Sequence, residues 1–375
     1  MRLVRGPAHA IAGPNPWSPE ALVQCTGRSM TPRRRALVRN AALTLVLVLL
    51  ATGCNALADP RAPQSTVFPK SDWAALIYDL YNKVFIMAVL VFVGVEGALL
   101  LFIIRYRRTD ENRLPSQTHG NTRLEILWTI LPALVLFVIA IPSIQVIFAS
   151  EEVPPNVSAM YVRVIGHQWW WEFQYPELGI STANELHVPA GQTVRFDLQS
   201  ADVIHSFWFP FMGGKVDVVP MRVNHMWYTP DASAASASPY LSQCVEFCGT
   251  EHAMMRNRLF VDTPEQFNAW AALQRQDAQV PQGDDVQRGA GLLLGGQCRN
   301  CHTIKGTTAI GVIGPNLTHV GSRSTIVSGT LDTNVDNLAK WIHDPQSVKP
   351  GAKMPTLGFS EADARSMAVY LMTLK

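Results

Sequence analysis

Two groups of side chains in the C-terminal half of the sequence could bind metals. The first places two thiols, an imidazole and a thioether within one short stretch, at Cys244, Cys248, His252 and Met255. Sulfur and imidazole ligands together select copper, and a weak axial thioether is typical of copper that transfers electrons. If both thiolates bridge two copper ions, the charge is shared over a compact core, and one electron can be added with little change in geometry.

A second imidazole must come from elsewhere in the chain. His205 is a candidate because it lies at the predicted end of a strand, where a neighbouring loop could present it to the cysteines. The alternatives for Cys244 and Cys248 are a disulfide in an exported protein or a zinc site, although zinc more often uses Cys-x-x-Cys pairs or several histidines. The alternative for His205 is a hydrogen-bonded surface residue.

The second group is the motif Cys298-Arg-Asn-Cys301-His302. Two thiols at this spacing can attach to the vinyl groups of a haem, and the adjacent histidine can then occupy one axial position on the iron. A thioredoxin-like redox pair is the competing interpretation, but the sequence shows no βαβ pattern around it. Met354 is the predicted second axial ligand because it lies in a breaker-rich loop, where a thioether can point inward. Ligation by His and Met raises the haem potential.

Two apolar segments precede these groups and are long enough to cross a membrane as helices. Val84–Ile104 and Ile126–Phe148 contain 21 and 23 residues, against a hydrocarbon layer of about 30 Å. Five arginines between or beside them place the connecting loop on the cytoplasmic side and everything after Ala149 outside. Glu96 interrupts the first span, so it either contacts a partner subunit or is a neutral, hydrogen-bonded residue.

Residues 1–53 contain the pattern of an export signal. Basic residues after Met30 are followed by the apolar run Ala41–Ala51 and by Gly53-Cys54. Met30 is the expected start, and Cys54 resembles the lipidated first residue after a bacterial lipobox, with ordinary signal cleavage as the alternative. Residues 54–79 are then an exported N-terminal segment and residues 80–150 a two-helix transmembrane hairpin.

Residues 157–262 contain short segments in which apolar and polar residues alternate, separated by Pro, Gly and Asp clusters. This pattern indicates an all-β sandwich or barrel. The predicted strands are Met160–Ile165, Trp169–Tyr175, Glu185–Val188, Thr193–Leu198, His225–Thr229 and Arg258–Val261. Trp169, Trp171 and Phe173 share one face at a period of two and are expected in the core, with Trp170 opposite.

The remaining residues predict helices. Thr263 and Gln266 form the pattern of a capping box that starts a helix running to about Gln276, and residues 263–284 make up this helix and a polar linker. Residues 285–375 form a separate helical unit. Its predicted helices are Val286–Leu294, Asn334–Asp344 and Glu361–Leu374.

Composition excludes several classes of protein. The 375 residues allow about two to three domains, and 48% hydrophobic with 16% charged residues is too apolar for a disordered chain. A net charge of +2 argues against a nucleic-acid partner. The sequence therefore predicts a multidomain chain with two transmembrane helices, an all-β barrel and an all-α domain.

The stretch Cys244–Met255, with His205 upstream, resembles the CuA centre of cytochrome c oxidase subunit II, and the similarity covers about residues 70–262. The resemblance implies a cupredoxin-like barrel. It also implies a ligand set for the binuclear copper: Cys244 and Cys248 as bridges, His205 and His252 as terminal ligands, and Met255 and the Glu246 carbonyl as weak axial ligands. The Glu246 side chain is implied to reach a magnesium ion at the border with subunit I.

Two further residues match this family. Trp169, in Gly166–Phe173, resembles the surface aromatic residue over the copper through which electrons enter. Glu125, before the second span, resembles a glutamate near a proton-uptake path into subunit I. The alternative for Glu125 is a solvated acid favoured by the helix N-terminus.

Residues 285–375 resemble a class I cytochrome c domain. Gly314-Pro315-Asn316-Leu317 is similar to the loop whose Pro315 carbonyl accepts a hydrogen bond from His302 and fixes its ring. The order of spans, CuA domain and cytochrome c domain resembles subunit II of a caa3-type haem-copper oxidase. That family implies an oxidoreductase and translocase subunit in the bacterial inner membrane, multi-pass, with both redox domains on the periplasmic side.

The implied function is to pass electrons from haem c to CuA and on to subunit I, where O₂ is reduced to water with proton translocation. The implied partners are subunits I and III, with a cytochrome or a quinol:cytochrome c reductase as electron donor. One alternative is a CuA subunit of a related nitric oxide reductase. Another is a membrane-anchored copper or haem carrier, which would bind one copper per chain instead of two.

Overall fold

The computed structural model describes residues 31–57, 64–108, 117, 119–151 and 153–375. Helix α1 (Pro32–Leu57) lies in one unit of the chain, and residues 60–375 form a second, compact unit. The apolar run expected in the export signal belongs to α1. Met30 and the side chain of Cys54 lie outside the described residues, so the start site and the lipidation stay predictions.

Two long helices, α2 (Asp72–Arg105) and α3 (Thr122–Glu151), contain the two predicted spans. Both are long and apolar enough to cross a membrane, and their most apolar windows are unburied. The helix α2 begins at Asp72 rather than near residue 80 because Ser71 caps it, accepting a hydrogen bond from the Ala74 amide at 3.1 Å. Glu96 is exposed on α2.

The start of α2 is anchored to the β domain, residues 160–262. The Ser71 hydroxyl donates to the Met212 carbonyl at 2.6 Å, and Trp73 is buried. The Trp73 ring packs on Gly213, where a Cβ atom would lie 2.3 Å from it, so only glycine permits this approach. The first membrane-type helix therefore connects directly to the domain that carries the metal loop.

Ten strands build the β domain. They are β1 (Met160–His167), β2 (Trp170–Tyr175), β3 (Ile180–Ala183), β4 (Glu185–Pro189), β5 (Val194–Ser200), β6 (His205–Phe207), β7 (Val216–Val218), β8 (Asn224–Tyr228), β9 (Tyr240–Gln243) and β10 (Arg256–Asp262). A five-stranded sheet in the order β3-β2-β1-β5-β8 packs with a three-stranded sheet in the order β4-β10-β9, and β6 pairs with β7. Apolar side chains of both sheets form one core.

The structure confirms that Trp169, Trp171 and Phe173 lie in the core, and it places Trp169 just before the strand instead of within it. Trp171 and Phe173 of β2 are fully buried, and Trp170 is half-buried. Trp169 precedes β2 and lies in the turn after β1, so it does not follow the alternation of the strand. Its position is set by contacts with the metal loop. The strands β3, β6, β7 and β9 were not predicted because three- and four-residue strands carry too little alternation.

Helix α4 (Pro264–Gln274) follows the β domain, and its predicted capping box is confirmed. The helical domain, residues 284–375, contains α5 (Asp284–Gly295), α6 (Val335–His343), α7 (Pro345–Val348) and α8 (Glu361–Thr373). It also contains a small hairpin, β11 (Thr325–Ile326) and β12 (Leu331–Asp332), which the all-α prediction omitted.

Helices α5 and α8 pack closely in the core of the helical domain. At Gly289 of α5, a Cβ atom would lie 2.0 Å from the Ser366 carbonyl oxygen of α8. A residue without a side chain is therefore required at this crossing.

Candidate functional site

The predicted copper ligands lie together in the β domain. The ligand atoms of His205, Cys244 and Cys248 all fall within 4.8 Å of one another, and all three residues are buried. Both cysteines are free thiols in the structure. Cys244 Sγ lies 3.9 Å from His205 Nδ1, and Cys248 Sγ lies 3.5 Å from His252 Nδ1.

Two weaker donors lie beside the thiols. Met255 Sδ is 3.8 Å from Cys248 Sγ, and the Glu246 carbonyl oxygen is 3.2 Å from Cys244 Sγ. Each thiol therefore has one imidazole and one weaker donor nearby. The arrangement is suited to two metal ions that share the pair of sulfur atoms.

Local structure explains how these side chains meet. His205 begins β6, and Cys244 follows β9 directly. The loop after Cys244 closes on itself because the Cys244 amide donates to the Met255 carbonyl at 2.8 Å. A single helical turn, His252–Met254, then brings the loop back to the start of β10.

The two thiols do not ionise independently. A hydrogen bond from Cys248 lowers the pKa of Cys244 well below its usual range, with His205 acting in the same direction. The interaction with Cys244, together with burial, raises the pKa of Cys248. The pair therefore carries one negative charge readily and a second only with positive charge nearby, which metal ions supply. This donor chemistry fits a binuclear copper centre.

Asp202 orients one of these imidazoles, a role the sequence did not reveal. Its Oδ1 lies 2.8 Å from His205 Nε2, so the opposite nitrogen, Nδ1, faces the thiols. Its Oδ2 accepts from the Gln168 amide at 2.7 Å. Burial opposes ionisation of Asp202, but these hydrogen bonds lower its pKa overall. Carboxylates in this position fix the ring and tautomer of a ligating histidine.

Trp169 contacts the metal loop through its indole ring. The indole nitrogen donates to the Cys248 carbonyl at 3.0 Å, and the Gln168 side chain donates to the same oxygen at 2.8 Å. Trp169 is 9% exposed. This turn also lines the cavity of the helical domain.

The haem-attachment motif opens into a cavity of about 560 Å³. Cys298, Cys301, His302 and Met354 all line it. Its other lining residues are largely apolar and include Leu293, Leu317, Ile342, Met367 and Leu371. The two thiols, the imidazole and the thioether thus share one apolar cleft, which fits a covalently attached haem.

His302 is held in a fixed orientation. Its Nδ1 lies 2.7 Å from the Pro315 carbonyl oxygen, as expected, which leaves Nε2 for an axial position. Burial lowers the pKa of His302. A Cβ atom at Gly314 would lie 2.6 Å from this ring, so glycine is needed beside it.

Arg323 is a further cleft residue that the sequence analysis missed. Its side chain lines the cavity, and burial lowers its pKa to about 10, although the charge of Glu185 opposes this change. One guanidinium nitrogen donates to the Asn316 carbonyl at 2.5 Å, while Nε finds no partner among the described residues. A half-buried cation whose buried Nε has a spare donor fits the carboxylates of a haem. No local motif marks this arginine, because its burial arises from the tertiary fold.

Among the described residues, the side chains of Glu125 and Glu246 make no hydrogen bond to another predicted site residue. Glu125 is exposed in the first turn of α3 and accepts from the Asn121 amide at 3.2 Å, as a helix-start acid does. The side chain of Glu246 is half-buried. A proton path at Glu125 and magnesium at Glu246 stay predictions.

Two membrane-type helices, a cupredoxin-like domain with a sulfur-rich metal loop and a helical domain with a haem-type cleft define a membrane-anchored electron-transfer protein. The chain is 35% identical to cytochrome c oxidase subunit 2 of Alkalihalophilus pseudofirmus, over 88% of this chain and 95% of that protein. It is 33% identical to the Bacillus subtilis subunit 2, over 89% and 97%. The chain belongs to the cytochrome c oxidase subunit 2 family.

Family profiles match in the same order along the chain. The transmembrane domain of cytochrome c oxidase subunit II matches residues 69–146, its periplasmic domain matches residues 178–260, and cytochrome c matches residues 286–375. The crystal structure of the periplasmic domain of subunit II from Bradyrhizobium japonicum is 28% identical, with a TM-score of 0.30, and aligns with 33% of this chain and 97% of its own length. The chain is thus an oxidase component whose two extramembrane domains imply CuA copper and haem c.

Proposed function

We propose that this chain passes electrons from a c-type haem in residues 285–375 to a binuclear copper centre in residues 157–262 and on to subunit I, where O₂ is reduced. The observation that supports this most strongly is the convergence of both thiols and His205 in one buried cluster, with His252 beside Cys248 at 3.5 Å. Both groups, when bound, supply one-electron chemistry with little structural change. The family membership favours this function over a nitric oxide reductase subunit or a metal carrier.

The chain's own residues hold and orient the copper pair. In this proposal Cys244 and Cys248 would hold both metals, His205 and His252 would each hold one, and Met255 and the Glu246 carbonyl would be the weaker donors. Asp202 fixes the His205 ring, and burial of Cys244, Cys248 and Met255 keeps water from the sulfur donors. Trp169 is the aromatic residue through which electrons enter, because its ring donates to the backbone of a ligand, Cys248.

The helical domain holds the haem. Cys298 and Cys301 would attach it, His302 and Met354 would ligate its iron, and the Pro315 carbonyl orients His302. Arg323 pairs with a haem carboxylate in this proposal. The apolar lining keeps water from the iron and favours a high potential.

The membrane setting and the partners follow from the same family. We assign α2 and α3 to the transmembrane hairpin of residues 80–150, with the loop between them in the cytoplasm and both redox domains on the periplasmic side of a bacterial inner membrane. Subunits I and III are the partners. The electron donor is a cytochrome or a quinol:cytochrome c reductase. Glu246 carries a magnesium ion at the border with subunit I, and Glu125 lies beside a proton path.

The metal content of the purified full-length chain tests this function. Two copper atoms per haem iron, with an electron shared between both coppers in the EPR spectrum, are expected for an electron conduit. One copper per haem contradicts the conduit and supports a carrier. Comparing Met255→Leu with Met254→Leu identifies the weak sulfur donor. Only Met255→Leu should alter the copper spectrum.

A further inference from the structure

A buried lysine connects the helical domain to the β domain. Lys349 follows α7, and its side chain is almost fully buried, at 3% exposure. Its ammonium donates to the carbonyl oxygens of Trp169 at 2.8 Å and Met254 at 3.1 Å, both in the β domain. It also contacts Ser328 Oγ at 3.2 Å. An ammonium has three donors, so these three acceptors satisfy it.

A buried glutamate makes the reciprocal connection. Glu185, the first residue of β4, is 4% exposed. Its Oε1 accepts from the amides of Ser324 at 2.9 Å and Thr325 at 3.0 Å, and from the Ser324 hydroxyl at 2.5 Å. All of these donors belong to the helical domain. Each domain therefore places one buried acidic or basic side chain among polar partners that lie mostly on the other domain.

The turn between β11 and β12 carries backbone strain where it meets the β domain. Val327 and Ser328 have φ angles of 52° and 56°, a left-handed conformation that is rare for residues other than glycine and rarest for β-branched ones. In this conformation the Ser328 hydroxyl donates to the Trp169 carbonyl at 2.6 Å, and the Ser328 carbonyl accepts from the Arg256 amide at 3.2 Å. Strain of this kind persists where surrounding contacts determine the conformation.

We propose that five residues form an interdomain latch that holds the helical domain in one orientation over Trp169. The latch residues are Glu185, Ser324, Thr325, Ser328 and Lys349. Other docked orientations would bury an ammonium or a carboxylate without partners, which is strongly unfavourable, so the latch selects a single arrangement. The latch residues are positioning residues, because they act on the geometry of Trp169 and the cleft.

Trp169 is held at both ends in the latched arrangement. Its carbonyl accepts from Lys349 and Ser328, and its indole donates to the Cys248 carbonyl. The same residue lines the haem-type cavity. The latch thus fixes an aromatic turn that contacts both the cleft and the metal loop.

The consequence for transfer rests on the proposed function. With the latch closed, one electron could pass from the haem site, which would be oxidised, to the copper site, which would be reduced, without a preceding docking step. Without the latch, the tethered helical domain must dock on the β domain again before each electron transfer. The observed rate then falls in proportion to the docked fraction and depends on solvent viscosity.

The test compares Lys349→Ala and Glu185→Ala in the full-length, metal-loaded chain in detergent. The matched controls are Lys340→Ala, an exposed lysine of α6, and Glu177→Ala, an exposed glutamate of the β domain. The first measurement is hydrogen exchange of the Ser324, Thr325 and Arg256 amides, which are bonded across the interface. Lys349→Ala should speed their exchange by about tenfold or more. Glu185→Ala should speed exchange at Arg256, which it does not contact.

The second measurement is electron transfer between the two sites after photochemical reduction of the haem, at several glycerol concentrations. In both latch variants, electron transfer between the two sites should be about tenfold slower and should depend on viscosity. Exchange equal to that of the controls, or faster exchange with viscosity-independent transfer, overturns the proposal. If the wild type shows no electron transfer between the two sites while Lys349→Ala still speeds exchange of the three amides, the latch is supported and the proposed function is contradicted.

Discussion

Asp202 shows how a single carboxylate can determine the behaviour of a buried histidine. The two nitrogen atoms of His205 have different partners, with Asp202 on Nε2 and the thiol of Cys244 near Nδ1. Removing the carboxylate frees the ring to rotate or change tautomer, although the ligand itself remains. The strength of metal binding therefore depends on a residue that does not bind the metal.

Asp202→Ala should weaken copper binding by about 10- to 100-fold, because the orientation of His205 is lost. The measurement is copper retained per haem during titration with a chelator. Asp217→Ala, an exposed aspartate on the neighbouring strand β7, is the control and should retain copper as the wild type does. Equal retention in both variants would show that Asp202 does not support the ligand.

The helical domain depends on one close contact between its first and last helices. Gly289 and Gly291 lie two residues apart in α5, yet a Cβ atom at Gly289 would meet the Ser366 backbone, whereas nothing lies within 4 Å of one at Gly291. The same substitution should therefore have opposite effects at the two positions.

Gly289→Ala should destabilise the helical domain by about 1–3 kcal/mol, because α5 and α8 must separate. Gly291→Ala should stabilise it by up to about 1 kcal/mol through helix propensity. Thermal unfolding of the full-length chain, followed by visible haem absorbance, measures both. A destabilisation of similar size at both positions would contradict the packing argument.

An ion pair on the surface of the same two helices should contribute to acid stability. Arg288 of α5 donates to Asp363 of α8 at 2.7 Å, and this bond, with one from the Ser360 hydroxyl, lowers the pKa of Asp363. The stabilisation is present above the unfolded-state pKa of about 3.9 and is lost as pH falls through the lower folded-state pKa.

Asp363→Asn should therefore flatten the dependence of the unfolding temperature on pH between about pH 5 and pH 2. Arg288→Gln removes the other partner and should have a similar effect. The double variant should add little to either single change, since the residues interact directly. Additive effects would mean that the pair does not act as a unit.

Joining the two redox domains in one chain changes how electrons reach the copper site. The helical domain covers Trp169, and the linker keeps the helical domain close to the β domain. A short flexible tether of this kind corresponds to an effective concentration in the millimolar range. The turn that contacts the metal loop is already covered by the helical domain, so under the proposed function an external donor would reduce the haem domain first.

Removal of residues 278–375 should slow oxidation of the physiological donor but leave the copper site reducible by small artificial donors. The physical reason is that the covalent relay is lost while the β domain keeps its own core and ligands. Steady-state turnover with each class of donor measures this. Equal turnover with the physiological donor after truncation would contradict the role of the haem domain.

Several features could be predicted from local sequence because each depends on a few neighbouring residues. The haem motif, the loop from Cys244 to Met255 and the capping box at Thr263 each require only side-chain type and spacing. The two membrane-type helices follow from long apolar runs, since a helix of that length needs no partner to satisfy its backbone. The short strands β6 and β9 escaped prediction, although one presents His205 and the other leads into Cys244.

The amino-acid sequence by itself determined which chemical groups are present and which fold class carries them. Tertiary structure alone decided that Asp202 orients His205, that Trp169 leaves the strand to contact Cys248, and that Lys349 lies against a turn 180 residues away. Each of these contacts joins two polar groups that become buried only when separate elements pack together. Since a buried polar group must find a partner wherever the fold places one, such pairings are set by three-dimensional packing, and no local pattern encodes them.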